Sequence, residues 1–322
     1  MPIQTRLTER LGITHPILSA PMGFVAGGKL AAAVTAGGGL GLIGGGYGDG
    51  EWIEREFAAA GNARVGCGFI TWSLRKQPHL LDLVLAHAPA AVMLSFDSPE
   101  PFAKVVKESG AQLICQVQSM ARAREAVDSG ADIVIAQGGE AGGHAGSRST
   151  FTLVPEVADY LAKRSPETLL VAASGIADGR GLAAALMLGA EGVLMGSRFL
   201  FSEEILLSPK HQEAMLKADG DATIKTRALD VVRKYDWPRE ITGRALRNKF
   251  VNDWHERDAE LAVPETQARE FKRYTDARDT GDPDNAGLFL GEAVGLIADT
   301  QPAATIIERI VQEAERALKF EG

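Results

Sequence analysis

Short apolar runs alternate along the chain with longer segments whose apolar residues recur at helical spacing. The runs begin near Ile17, Leu40, Val65, Ala91, Gln112, Asp132, Leu169 and Gly192, 20 to 26 residues apart except for one interval of 37. The common spacing accommodates one strand, one helix and two loops. Runs such as PILSA, VMLSF, DIVIA and LLVAA are apolar without clean alternation, as parallel strands covered on both faces require. The helical segments between them carry end signals. Ser119 is placed to cap MARAREAVDSG, which stops at Gly130, and Asp178 and Gly189 bracket GRGLAAALML in the same way. Eight such units predict an α/β fold, a (β/α)8 TIM barrel; an open doubly wound sheet is the alternative.

The long interval follows the sixth run and holds QGGEAGGHAGSRST. Extended loops at the C-terminal ends of barrel strands are where such folds place chemistry. Beyond the eighth run the pattern changes: residues 201–284 are highly charged and broken by Pro209, Pro238, Pro264 and Pro283. This segment is expected to be a helical subdomain lidding the barrel mouth, with residues 1–200 and 285–322 forming the barrel itself. The final stretch returns to an amphipathic helix with Ile307, Ile310, Val311 and Ala314 on one face, expected to pack back as the closing helix.

Composition narrows the function classes. The 322 residues suffice for one large domain with an addition. A net charge of −8 argues against general nucleic-acid binding and against docking on an anionic membrane. No apolar run approaches the roughly 20 residues of a membrane span, and MPIQTRLTER has no signal-like apolar core, so a cytoplasmic location is expected. Cys67 and Cys115 are too few for a disulfide framework and read as small core residues. Glycine is the outlier, with 36 residues or about 11% of the chain.

The glycines cluster at predicted strand C-termini: Gly23, Gly44 to Gly46, Gly66, Gly68, Gly138 to Gly146, Gly175 and Gly196. Without a Cβ the backbone can approach a flat or anionic ligand and offer it N–H groups. Loops after barrel strands seven and eight form the usual phosphate site, so Gly175, Gly196 and Ser197 are candidate phosphate donors. Arg198 either adds charge there or pairs with a carboxylate. One GxGxxG string, Gly39 to Gly44, crosses a predicted strand instead of opening a helix, and no P-loop string occurs. A phosphate-bearing cofactor held by a barrel remains.

Among the six histidines, His144 follows a glycine pair in the overlong loop, where an imidazole can take a proton from carbon or hold an anion. His15, His79, His87, His211 and His255 sit in or beside ordinary elements, and most of them are expected at the surface. Glu140 and His144 are four apart, but Gly142 and Gly143 between them oppose a helix, so no metal site is expected.

Five strings together carry a resemblance: PILSAPMG (16–23), GGGLGLIGGG (37–46), AQGGEAGGHAG (136–146), ASGIADGRG (173–181) and MGSRF (195–199). In order and spacing they resemble the nitronate monooxygenase family, strongly over about residues 5–202 and weakly at GEAVGLIADT. The resemblance implies a TIM barrel that holds FMN without a covalent bond. It also implies oxidation of alkyl nitronates by dioxygen to a carbonyl compound and nitrite. It carries the base or anion-stabilising role to His144, and isoalloxazine contact to Ala20, Pro21 and Met22. Gln137, Gly142 and Gly143 line the flavin in this reading, and Ser174, Gly175, Gly196 and Ser197 hold the phosphate.

Four positions depart from the family pattern. Gly68 stands where Asn is common and Gln116 where some members have Lys, both at flavin-facing positions. Ala145 stands where Arg is frequent, and Gly291-Glu292 replaces Gly-Gln. Gly68 and Ala145 together predict a roomier mouth. FMN-dependent enoyl-acyl carrier protein reductases share the EAGGH string, and quinone reduction by NAD(P)H occurs among family members, so a reductase is the alternative activity. A non-catalytic flavin-binding barrel is a further alternative if His144 lies outside the mouth, and a homodimer is left open.

Overall fold

A computed structural model describes residues 3–319. Eight parallel strands form the central sheet: β1 (Ile17–Ser19), β2 (Leu42–Gly46), β3 (Gly66–Ile70), β4 (Ala91–Ser95), β5 (Gln112–Val117), β6 (Ile133–Gln137), β8 (Leu169–Ala173) and β9 (Val193–Met195). They run in the order β1-β9-β8-β6-β5-β4-β3-β2. The seam between β1 and β2 is closed at Leu40, whose N–H donates to Ile17 O at 3.0 Å and whose carbonyl accepts from Ser19 N at 3.1 Å. The result is the (β/α)8 barrel. Gly41 permits the closure, because a Cβ there would lie 2.0 Å from the Ala31 carbonyl oxygen.

The uniformly apolar strands conceal a period of two. Ala91 and Met93, Ile114, Ile133 and Ile135, and Leu169, Val171 and Ala173 fill the barrel interior. The intervening Val92, Leu94, Leu113, Cys115, Val134, Leu170 and Ala172 pack outward under the helices. Leu7 and Leu11 of the N-terminal helix Arg6–Leu11 join the interior cluster. Continuing each inward register to the strand C-termini reaches Ser95, Gln116 and Gln137, which turns the uppermost layer polar.

The predicted helix ends form as read. Ser119 accepts from Arg122 N and Asp178 from Gly181 N, and Gly130 and Gly189 both take positive φ beyond the helix ends. The terminal helix Ala303–Leu318 buries Ile307, Ile310, Val311 and Ala314 as predicted, together with Ala303 and Ile306.

Residues 201–284 are not purely helical. They contribute β10 (Thr223–Thr226) and β11 (Thr242–Leu246), which pair antiparallel, and β11 pairs in turn with β7 (Gly143–Ala145). The strands escaped the sequence pattern because TIKT and TGRAL are short and carry Lys225 and Arg244 within them. Ala228, Leu229, Val232, Ala245, Phe250, Trp254, Leu261 and Tyr274 form a separate small core behind this sheet. The glycine-rich loop after β6 is therefore an ordered edge strand, with His144 opposite Gly243. Among the described residues no helix is long and apolar enough to cross a membrane.

Candidate active site

A cavity of about 530 Å³ opens at the C-terminal ends of the barrel strands. Ala20, Pro21 and Met22 line it from the loop after β1, Gly68 from β3, and Gln116 and Gln137 from β5 and β6. Gly142, Gly143 and His144 enter on β7, with Ser174 and Gly175 after β8 and Gly196 and Ser197 after β9. The barrel thus gathers into one chamber the residues to which the resemblance gave a role at the base, the flavin ring or the phosphate, together with Gly68 and Gln116. Gly44 and Gly45 lie outside it; a Cβ on Gly44 would strike the Met22 carbonyl at 2.5 Å, so that glycine serves backbone packing.

His144 is 9% exposed and its ring is fixed from several sides. Nε2 lies 2.9 Å from both carboxylate oxygens of Asp230, itself 1% exposed. The ring stacks on Trp237, with centroids 3.5 Å apart and planes 5° from parallel, and faces Phe96 and Phe289 at 6.5 and 5.7 Å. Gln137 anchors the backbone below: its Nε2 donates to His144 O at 3.1 Å, while its Oε1 accepts from Gln116 and Gln118. Burial holds the His144 pKa below the ordinary histidine value, a shift that Asp230 only partly offsets. With Nε2–H directed at a carboxylate, a neutral imidazole keeps its lone pair on Nδ1, which takes no partner among the described residues. An imidazole so arranged has the free lone pair that accepting a proton requires.

Asp230 also accepts from Arg233 Nη2 at 2.8 Å, and Arg233 Nε donates to Leu229 O. The Arg233 guanidinium lies 5.0 Å from the ring centres of Tyr235 and Phe289 and 5.8 Å from that of Tyr47. Tyr47 stacks on Tyr235 at 3.7 Å and accepts from Trp237 Nε1 at 3.1 Å. Burial pushes both phenols above their usual pKa, so neither is ionised near neutrality.

After β8 and β9 the backbone N–H groups of Gly175, Gly196 and Ser197 find no acceptor among the described residues. Ser174 and Gly175 hold φ of 95° and 71°, which turns this segment out of the strand direction. Three unspent donors beside the start of the 3-10 helix Ser197–Phe201 suit a phosphate. Glu140 braces this region: its carboxylate accepts from Thr150 N, Thr150 Oγ1 and Ser174 Oγ, tying the loops after β6 and β8 together.

A model of the family described as nitronate monooxygenase matches residues 4–64 and 71–313. The chain belongs to the nitronate monooxygenase family. It is 34% identical to a nitronate monooxygenase of Neurospora crassa, over 94% of this chain and 90% of that one. It is 32% identical to a Rhodococcus jostii (3aS,4S,5R,7aS)-5-hydroxy-7a-methyl-1-oxo-octahydro-1H-indene-4-carboxyl-CoA dehydrogenase, over 85% and 74% of the two chains. Among solved structures, FabK from Thermotoga maritima superposes with a TM-score of 0.85 at 32% identity, covering 99% of this chain and 98% of that one. The protein is thus an oxidoreductase of a family of flavin enzymes, which removes the non-catalytic reading.

Several expectations change within this nitronate monooxygenase fold. His211 is not a surface residue; it is 3% exposed and lines the cavity, because the helix Pro209–Leu216 packs under the segment near Asp282. Of the two roles left open for Arg198, the carboxylate pairing forms: its Nη2 lies 2.9 Å from Asp299, and the residue does not line the cavity. Neither Gly68 nor Ala145 leaves open space of its own at the mouth. A Cβ on Gly68 would sit 2.3 Å from Pro21 Cγ, so the ring of Pro21 already fills that space. Ala145 is fully buried in β7 and does not line the cavity. Glu292 pairs with Arg244 at 2.6 Å. Cys67 and Cys115 are buried free thiols whose pKa burial pushes up to about 12, as core residues should be.

Sequence reasoning missed Tyr47, Phe96, Asp230, Arg233, Tyr235, Trp237 and Phe289. Asp230 is 86 residues from His144 in the chain, and no local spacing links them. The aromatic content of KYDWP was the available signal.

Proposed function

We propose that this protein oxidises alkyl nitronates with dioxygen to a carbonyl compound and nitrite, using FMN, with His144 as the base. The observation that carries the reading is the His144 ring, tied through Nε2 to Asp230 in an aromatic-walled chamber directly above the barrel's flavin-sized cradle. The unspent N–H donors of Gly175, Gly196 and Ser197 suit the FMN phosphate, and the side-chain amides of Gln116 and Gln137 suit the polar edge of a flavin. Ala20, Pro21 and Met22 supply a wall for the ring system, and Gly68, Gly142 and Gly143 let the backbone come close. When bound, FMN supplies the redox chemistry, accepting electrons from the nitronate carbon and passing them to dioxygen.

The chain's own residues do the rest. Trp237, Phe96 and Phe289 exclude water around the imidazole, and Asp230 keeps its proton on Nε2. Nδ1 then receives the α-proton when a neutral nitroalkane enters in place of its anion. Reduction of a quinone or an enoyl thioester by NAD(P)H is the second reading, favoured by the likeness to FabK over nearly the whole chain.

One experiment separates the readings. The purified protein is mixed anaerobically with ethyl nitronate and, separately, with NADH and NADPH while the flavin absorbance is followed. Bleaching by nitronate alone supports the oxidase reading and bleaching by a pyridine nucleotide alone the reductase. Colourless protein that takes up no FMN would overturn both.

A further inference from the structure

We infer that Arg233 and His144 together form a two-point subsite for a planar oxyanion, with the open Nη1 edge of Arg233 as its charged donor. The inference rests on the proposed nitronate chemistry for its ligand class and extends it to a residue with no assigned role. Three of the guanidinium's features are settled by the protein. Nε is spent on Leu229 O at 2.7 Å, Nη2 on Asp230 Oδ1 at 2.8 Å, and the group is held among the Tyr47, Tyr235 and Phe289 rings. Nη1 has no acceptor among the described residues, and Arg233 lines the cavity. The same Asp230 Oδ1 holds His144 Nε2 at 2.9 Å, so one carboxylate oxygen fixes the cation and the imidazole side by side. An arginine edge presented to an aromatic-walled chamber is a strong site for a carboxylate-like or nitro-like oxygen pair.

Charge balance sharpens the proposal. Asp230 pairs with Arg233, Arg227 lies 3.9 Å from Asp258, and the cavity-lining Glu140 and Arg278 are of opposite sign, so with a neutral imidazole these groups sum to no net charge. The groups that face His144 from the insert are Asp230, Arg233 and Arg227, and the phenols of Tyr47 and Tyr235 stay protonated. A neutral nitroalkane leaves that balance intact, before and after its proton moves to Nδ1. A preformed anion brings one uncompensated negative charge into a site that excludes water. The imidazole answers it by taking one proton from solvent, so oxyanion binding is accompanied by uptake of one proton.

Nitrate, a planar oxyanion that is not oxidised, is the probe. Its binding to the FMN-loaded protein is followed by calorimetry and by perturbation of the flavin spectrum between pH 6 and 8.5. The expected result is weakening by about tenfold per pH unit on the alkaline side, with a calorimetric heat that varies with the buffer's ionisation heat as one proton taken up requires. Arg233→Met is expected to weaken nitrate by at least about tenfold. Arg233→Lys keeps the ion pair with Asp230 but loses the planar edge, and is expected to weaken nitrate comparably; it serves if the methionine variant does not fold. Nitrate affinity within threefold of the parent in Arg233→Lys, or binding without proton uptake, overturns the subsite. Nitrate binding that behaves as expected in a protein that nitronate fails to bleach leaves the subsite standing and refutes the proposed activity.

Discussion

Replacing Asp230 by Asn tests the core of the site, because it changes one atom of a residue that touches both His144 and Arg233. The carboxylate receives Nε2 of His144 on both oxygens at 2.9 Å and Nη2 of Arg233 at 2.8 Å. In the variant, the charged Arg233 donor claims the single carbonyl oxygen. The amide N–H2 is then left facing Nε2, which must become an acceptor, and the imidazole proton shifts to Nδ1. That tautomer presents a proton where the reaction needs a lone pair. Recovering the productive tautomer sacrifices a charge-assisted hydrogen bond, about 1.5–3 kcal/mol, and an imidazolium formed in the reaction loses its carboxylate neighbour as well. At 1.36 kcal/mol per factor of ten, kcat/KM for nitroethane should fall by about 10² to 10³ while FMN content is unchanged. The pH profile gives an independent reading. Asp230 raises the His144 pKa, so its removal moves the acid limb of kcat/KM to lower pH. Steady-state oxygen consumption from pH 5.5 to 8.5 measures both effects. A plateau within about threefold of the parent enzyme, with the limb displaced, would reduce Asp230 to an electrostatic neighbour and refute the tautomer reasoning.

Other outcomes follow from the same geometry. His144→Ala should lower turnover by about 10² or more with FMN retained, and unchanged turnover would remove the imidazole from the mechanism. Gly68→Ala forces a Cβ within 2.3 Å of Pro21 Cγ and 2.6 Å of Pro21 Cβ, so the loop after β1 must shift; a stability loss of about 1–3 kcal/mol and weaker FMN binding are expected, read by Tm and by flavin fluorescence titration. Burial holds His144 and His211 below the histidine value of about 6.5 that they regain on unfolding. The unfolded chain therefore binds protons first as pH falls, and Tm should hold above about pH 7 and decline through 6.5 towards 5.5. A Tm that stays flat over that interval contradicts the buried neutral state of both rings.

The barrel was legible because its code is local. Each strand–helix unit carries its own apolar run, two carry readable ends at Ser119 with Gly130 and at Asp178 with Gly189, and apart from one interval of 37 residues the units repeat at nearly constant spacing. The cofactor-side candidates Gln116 and Gln137 came from the resemblance of the motifs, and only the barrel shows that they extend an inward register set two residues earlier; the glycine pair before His144 was legible because it is contiguous with it. The 37-residue interval marked where to look, although its reading as a loop missed β7, whose partner lies a hundred residues onward.

What the chain's order alone determined, then, is the barrel, its glycine-rich strand ends and one histidine at the mouth. Tertiary structure decided how that histidine behaves. Asp230, Arg233 and Trp237 lie in a segment whose charge and short strands conceal its fold, and they meet His144 only because β11 pairs with β7 and lays the insert across the mouth. Hydrophobic periodicity reports which face of an element is buried. It carries no record of which distant side chain will share a hydrogen bond there, and that partner sets the imidazole's tautomer and charge.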